Sequence, residues 1–104
     1  MNRAKLRLTE VAVSDIQEQA DWYEQRSDHA LARRWENEVT AALIRIERHP
    51  RSGAKCSFSA YELQEIRRMS VTGFPRHLIF YRAKKEEIRI LRILHGTRDL
   101  ESLL

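Results

Sequence analysis

The chain has 104 residues, 42% of them hydrophobic and 33% charged, with a net charge of +4, a composition that suits one folded domain spanning 1–104 and excludes a disordered chain. No apolar run reaches the 18 or so residues that a membrane helix needs, and there is no signal-peptide pattern, so a cytoplasmic protein without membrane contact is expected. A single cysteine, Cys56, leaves no internal disulfide, and no Cys/His cluster has metal spacing, so neither a metal nor another cofactor is expected.

In chain order, Lys5 to Leu8 reads as a short strand with Leu6 and Leu8 on one face. Thr9 is a candidate N-cap, and Glu10 follows in the first turn. To about Arg26 the apolar residues Ala12, Val13, Ile16, Ala20 and Tyr23 recur at helical spacing and form one buried stripe. Trp22 falls on the opposite side, level with Val11, Asp15 and Glu18. Ser27 or Asp28 caps a second helix, and so short a break makes a helical hairpin. Leu31, Trp35, Val39, Ala42, Leu43 and Ile46 form its apolar stripe, with Trp35 in the core. The helix ends at His49, because the residue before Pro50 resists the helical region.

Pro50 to Gly53 separates this helical half from a strand half. Strands are expected over Tyr61 to Met69, His77 to Arg82 and Glu87 to Leu94. Gly73, Phe74 and Pro75 turn between the first two, and Ala83 to Glu86 between the last two. The last strand is apolar on both faces, which predicts a central strand covered on both sides. The fold class is α+β, in the order β-α-α-β-β-β: a small antiparallel sheet with a helical hairpin packed on one face.

The charge is uneven. Residues 1–50 carry eight Lys/Arg and nine Asp/Glu, whereas residues 67–98 carry nine Lys/Arg against Glu86 and Glu87 alone. Such a segment attracts polyanions or an acidic protein segment, unless it only solvates a sheet face. Arg67 and Arg68 are adjacent on a strand and therefore point to opposite faces. One joins a basic face with Arg82, or pairs with Glu62 or Glu65 across the sheet.

The stretches LRLTEVAVSDIQEQADWYEQ, RHPRSG, EIRRMSVTGFPRHLIFYR and IRILRILHGTRDL together resemble the RelE/ParE superfamily of toxins from type II toxin–antitoxin modules. The GFP followed by the FY strand, and the LHGTRD after an Ile-rich strand, resemble the ParE branch, the plasmid stabilisation proteins. The likeness implies a RelE/ParE-like fold and a growth-arresting inhibitor of DNA gyrase. It also implies a ParD-like antitoxin that neutralises the toxin, binds operator DNA and makes the complex repress its own operon. The neighbouring RelE branch implies a ribosome-dependent mRNA endonuclease instead. A third reading is a non-toxic co-repressor.

Under the gyrase reading no residue is catalytic. The region His95, Gly96, Thr97, Arg98 and Asp99 then carries toxicity, and Trp22, Arg67, Arg82 and Arg92 face the antitoxin. Under the nuclease reading Glu65 is the base, Arg67 and Arg82 clamp the phosphorane, and His95 is the acid. His95 also reads as a corner residue, because Gly96 follows it. Arg98 and Asp99 read equally as a local ion pair, with Asp99 capping Leu100 to Leu104. Trp22 off the core stripe is a protein-contact candidate. Cys56 reads as a passive thiol. His29, His49 and His77 carry no assigned role, and no motif supports a triad of Ser70, His95 and Asp99.

Overall fold

A computed structural model of the chain describes residues 4–26, 28–96 and 100–104. The elements are β1 (Lys5–Leu8), α1 (Glu10–Gln25), α2 (His29–Arg48), β2 (Ala54–Lys55), a 3-10 turn (Tyr61–Leu63), β3 (Arg67–Val71), β4 (Phe74–Ala83), β5 (Glu87–His95) and α3 (Leu100–Leu103). The strands form one sheet in the order β1-β5-β4-β3-β2. The expected β-α-α-β-β-β frame is therefore present, with β2 and α3 added.

The sheet is mixed rather than purely antiparallel. Pairs β2–β3, β3–β4 and β4–β5 are antiparallel, but β1 joins β5 in parallel, Lys5 facing Glu87 and Leu8 facing Ile90. No tight turn links β1 to β5, so nothing forces them to run in opposite directions.

The helices start and stop where their caps place them. Thr9 Oγ1 accepts from the Ala12 amide at 3.0 Å, and the Asp28 carboxylate accepts from the Leu31 amide at 3.0 Å. Ser27, the other cap candidate, lies outside the described residues. The hairpin presents Ala12, Ala20, Ala32 and Ala42, all buried, together with Trp35, Val39 and Ile46. Small side chains let α1 and α2 approach closely around Trp35, whose indole N–H donates to the Ile16 carbonyl at 3.0 Å. Val13 departs from the expected stripe: it sits on its shoulder and is 52% exposed.

Against this hairpin the sheet buries Val71, Phe74, Ile79, Tyr81, Ile88, Ile90 and Ile93. Its other face carries a second, smaller core of Ile66, Phe80 and Leu94. Phe58 and Leu63 from the β2–β3 connection and Leu100, Leu103 and Leu104 from the C-terminal end pack onto it. β5 is thus an inner strand, between β1 and β4, and covered on both faces, as its unbroken apolar run predicts.

Two strand boundaries differ from the sequence reading. Tyr61 to Leu63 is a 3-10 turn with Tyr61 87% exposed, and β3 begins only at Arg67. The left-handed backbone at Glu65, φ 61°, interrupts any extended run through that point. β4 begins at Phe74, so the turn is Thr72 and Gly73, with Gly73 at φ 82°. Pro75 is tolerated within β4 because the register with β3 breaks beside it, between Ser70 and Val71, where no regular ladder bond is required of it. β2, of two residues, is too short to leave a pattern in sequence.

β1 ends at Leu8, so beyond Ile90 the edge of β5 has no strand beside it. Side chains from α1 and its cap take over. Thr9 Oγ1 donates to the Leu91 carbonyl at 2.9 Å, and Asp15 Oδ2 accepts from the Ile93 amide at 2.9 Å. Arg92 grips the same carboxylate with two bonds of 2.9 Å and donates to the Leu103 carbonyl at 2.8 Å. Asp15 is therefore not on an outer face with Trp22; it is an internal joint. Replacing it with alanine strands the partly buried Arg92 and the Ile93 amide. Asp15→Ala is expected to cost about 3 kcal/mol in urea unfolding, with Asp15→Asn recovering part of that loss.

Candidate functional site

The register on β4 decides which candidate residues meet. Arg67 stands opposite Tyr81, and Arg68 opposite Phe80. Tyr81 belongs to the hairpin-side core and Phe80 to the other. Arg67 and Arg68 therefore do point to opposite faces. Arg82, next to Tyr81 on the same strand, lies on the face opposite to Arg67. His95 stands opposite His77, four residues along β4 from Tyr81, or about 13 Å along the strand from the level of Arg67.

Each of these arginines has local work. Arg67 Nη1 donates to the carbonyls of Gly53 and Arg51 at 2.8 and 3.1 Å. Arg82 donates to the carbonyls of Glu62 and Gln64, the closest at 2.8 Å. Arg92 is held by Asp15, which raises its pKa further. The partners of Arg67 and Arg82 are loop carbonyls rather than the carboxylates of Glu62 or Glu65. The nuclease set of Glu65, Arg67, Arg82 and His95 is thus spread over two faces of the sheet and does not converge on one point.

His95 ends β5 against a ring of aromatics. Its imidazole lies 5.3 Å from that of His77, nearly perpendicular. His77 in turn packs on Trp35 at 4.8 Å and lies 6.4 Å from Phe74. The following Gly96 amide donates to the Arg76 carbonyl at 2.6 Å. A Cβ there would stand 3.2 Å from the Leu78 side chain and 3.3 Å from that carbonyl, so glycine fits the close approach. The Gly96 bond carries the β4–β5 ladder one residue beyond the His77–His95 pair. Thr97, Arg98 and Asp99, the rest of the expected toxicity region, lie outside the described residues.

The Cys56 thiol is pushed up by burial, which outweighs the opposing influence of Arg68, so it keeps its proton. Trp22 is 47% exposed beside α1, and Val11 is equally so. The Arg26 guanidinium covers the indole at 3.6 Å. Val11 and Trp22 lie on one side of α1, about three turns or 16 Å apart, with the acidic Glu18 between them.

Charge gathers where sequence order does not place it. A groove of about 1550 Å³ runs between the end of α2, the Pro50–Ser52 turn, the start of β3 and the β4–β5 turn. Arg48, Arg51, Lys55, Arg67, Lys84 and Lys85 line it, against Glu47 and Glu65. Three of these cations, Arg48, Arg51 and Lys55, come from outside the basic segment read in sequence. Gly53 and Tyr81 hold the Pro50–Ser52 turn from behind the groove: the Tyr81 hydroxyl donates to the Pro50 carbonyl at 2.8 Å and accepts from the Gly53 amide at 2.9 Å. A Cβ at Gly53 would stand 2.4 Å from that hydroxyl oxygen, so only glycine fits. The basic run around Pro50 was the available sequence clue to this side of the groove.

A family model described as the ParE toxin of the type II toxin-antitoxin system, parDE, matches residues 6–100. The chain belongs to the ParE toxin family. A solved structure described as the chromosomal ParDE TA system from P. aeruginosa is similar in fold, with a TM-score of 0.73 and 19% identity, over 89% of this chain and 96% of that one. No curated protein sequence matches the chain. The ParE family assignment agrees with the RelE/ParE likeness of the LHGTRD and GFP stretches. No helix among the described residues is long and apolar enough to cross a membrane.

The His77 imidazole gives this toxin a pH dependence. Burial, with His95 adding to it, lowers its pKa below the ordinary 6.5. The folded state then binds fewer protons than the unfolded one, so His77 contributes stability that is complete above about pH 6.5 and lost as pH falls through the lowered value. Between about pH 7.5 and about 5.5 the urea midpoint of the wild type is expected to fall more than that of His77→Gln.

Proposed function

We propose that this ParE-family toxin arrests growth in the cytoplasm by binding DNA gyrase, without chemistry of its own. A ParD-like antitoxin neutralises it, and the complex represses its operon. The observation that carries the non-catalytic reading is the dispersal of the acid–base set. Arg67 and Arg82 occupy opposite faces and His95 sits at a different level of the sheet, so no single phosphate can meet all three. The family match supports the toxin–antitoxin setting.

The antitoxin surface is best drawn around Trp22 and Val11. Arg67, Arg82 and Arg92 are held by hydrogen bonds within the fold, whereas the half-exposed indole, with Arg26 stacked on it, presents apolar area to a partner. The toxicity region remains His95 to Asp99. Trimming the chain from Gly96 is a poor test of it, because Leu100, Leu103 and Leu104 fill the second core. The Glu101 carboxylate also accepts from the Ser59 amide, the Ser59 hydroxyl and the Ala60 amide at 2.6, 2.8 and 2.9 Å, which holds its pKa low. Single substitutions at Thr97, Arg98 and Asp99, with circular dichroism reporting the fold, test the region instead.

Purified toxin added to a gyrase supercoiling reaction is expected to trap linearised DNA, while a parallel ribosome-programmed assay leaves mRNA intact. Site-specific mRNA cuts with unaffected gyrase would reverse the reading. Trp22→Ala is expected to weaken the antitoxin complex by about 2 kcal/mol, roughly 30-fold, with gyrase inhibition by the free toxin unchanged. An unaltered antitoxin affinity would remove Trp22 from that interface.

A further inference from the structure

The basic groove holds the whole net charge of the protein. Its six Lys/Arg and two Glu leave 13 of the 19 Lys/Arg and 13 of the 15 Asp/Glu for the rest of the chain, which is therefore neutral in sum. Five of the six cations, all but Arg67, are exposed. Among the described residues none of the six enters an ion pair. Arg48 in the last turn of α2 is accounted for by the negative end of the helix dipole. That argument does not reach Lys55, Lys84 or Lys85, which belong to strand and turn. Concentrating like charges in one concave site costs self-repulsion unless a polyanion relieves it.

The lining also says which polyanion. A peptide needs apolar anchors to bind specifically. None of the exposed large hydrophobics, Val11, Val13, Trp22, Ile44 and Tyr61, lines the groove, and its one large aliphatic, Ile66, is fully buried. Unpaired bases need a run of aromatic platforms, and the groove offers the His49 imidazole alone, with no Phe, Tyr or Trp. What remains is an array of point charges and guanidinium forks suited to a phosphate backbone whose bases stay paired.

We propose that the groove between the Pro50–Ser52 turn and the Lys84–Lys85 turn is a binding site for the phosphate backbone of duplex DNA, read without sequence preference. The site stands whether or not gyrase is the target, because it binds DNA directly. It gives the toxin a hold on DNA of its own.

The test is fluorescence anisotropy of the full-length toxin with a labelled duplex of about 20 base pairs, between about 50 and about 200 mM salt. Affinity is expected to fall steeply with salt. Lys84→Ala/Lys85→Ala is expected to weaken binding about tenfold or more and to reduce the salt slope by about 2. Arg33→Ala/Arg76→Ala removes the same charge outside the groove and is expected to change affinity less than about threefold. If circular dichroism shows the lysine pair misfolded, Arg51→Ala/Lys55→Ala is measured instead, with the same loss expected. Absence of DNA binding at the lowest salt, or equal losses in the groove and control pairs, overturns the proposal. So does tighter binding to an RNA duplex of the same sequence. Displacement of the DNA by polyglutamate at equal charge concentration overturns it in favour of an acidic protein segment.

Discussion

Asp15 stands where the sheet runs out of strand. β1 accompanies β5 only to Ile90, and a bare edge at Ile93 would leave backbone polar groups unsatisfied beside the core. One carboxylate answers this by accepting from the Ile93 amide and from both arms of Arg92. Arg92 then reaches the Leu103 carbonyl. A single charged pair thus joins the first helix, β5 and the C-terminal end. Its side chains are 9% and 22% exposed, so the bonds form partly shielded from water, where a charge-assisted, bidentate contact is stronger than at an open surface.

The chain keeps two cores, one on each face of the sheet. The hairpin covers one face of the sheet with ordinary amphipathic packing. Among the described residues the other face has no helix of comparable length and is closed by loop and tail, with Phe58, Leu63, Leu100 and Leu103 over Ile66, Phe80 and Leu94. Elements so short have little stability of their own. They are held by charges, Glu101 on the Ser59–Ala60 backbone and Arg92 on Leu103.

The use of arginine follows one rule. Arg67, Arg82 and Arg92 each satisfy carbonyls or a carboxylate that loops and strand ends leave open. Their forks are structural before they are anything else. Of the exposed cations, Arg48 at the end of α2, Arg51, Lys84 and Lys85 on turns and Lys55 on β2 meet at the groove.

The two helices, their caps, the core place of Trp35 and the buried inner-strand character of β5 were legible in the sequence. Each depends on periodicity or on a cap within a few residues, and such local patterns act before any long-range contact forms. The GFP and LHGTRD stretches were likewise enough to indicate the family. Strand limits near Glu65 and Pro75 were not legible, since a left-handed residue and a register break leave no periodic trace. Nor were the partners of Asp15, Arg92 and Glu101, because no sequence rule links positions 77 or 42 residues apart. Tertiary structure alone decided which arginines turn inward and which basic residues meet. Electrostatics acts through space, and the groove collects charges from the end of one helix, two turns and two strands that the chain order keeps apart.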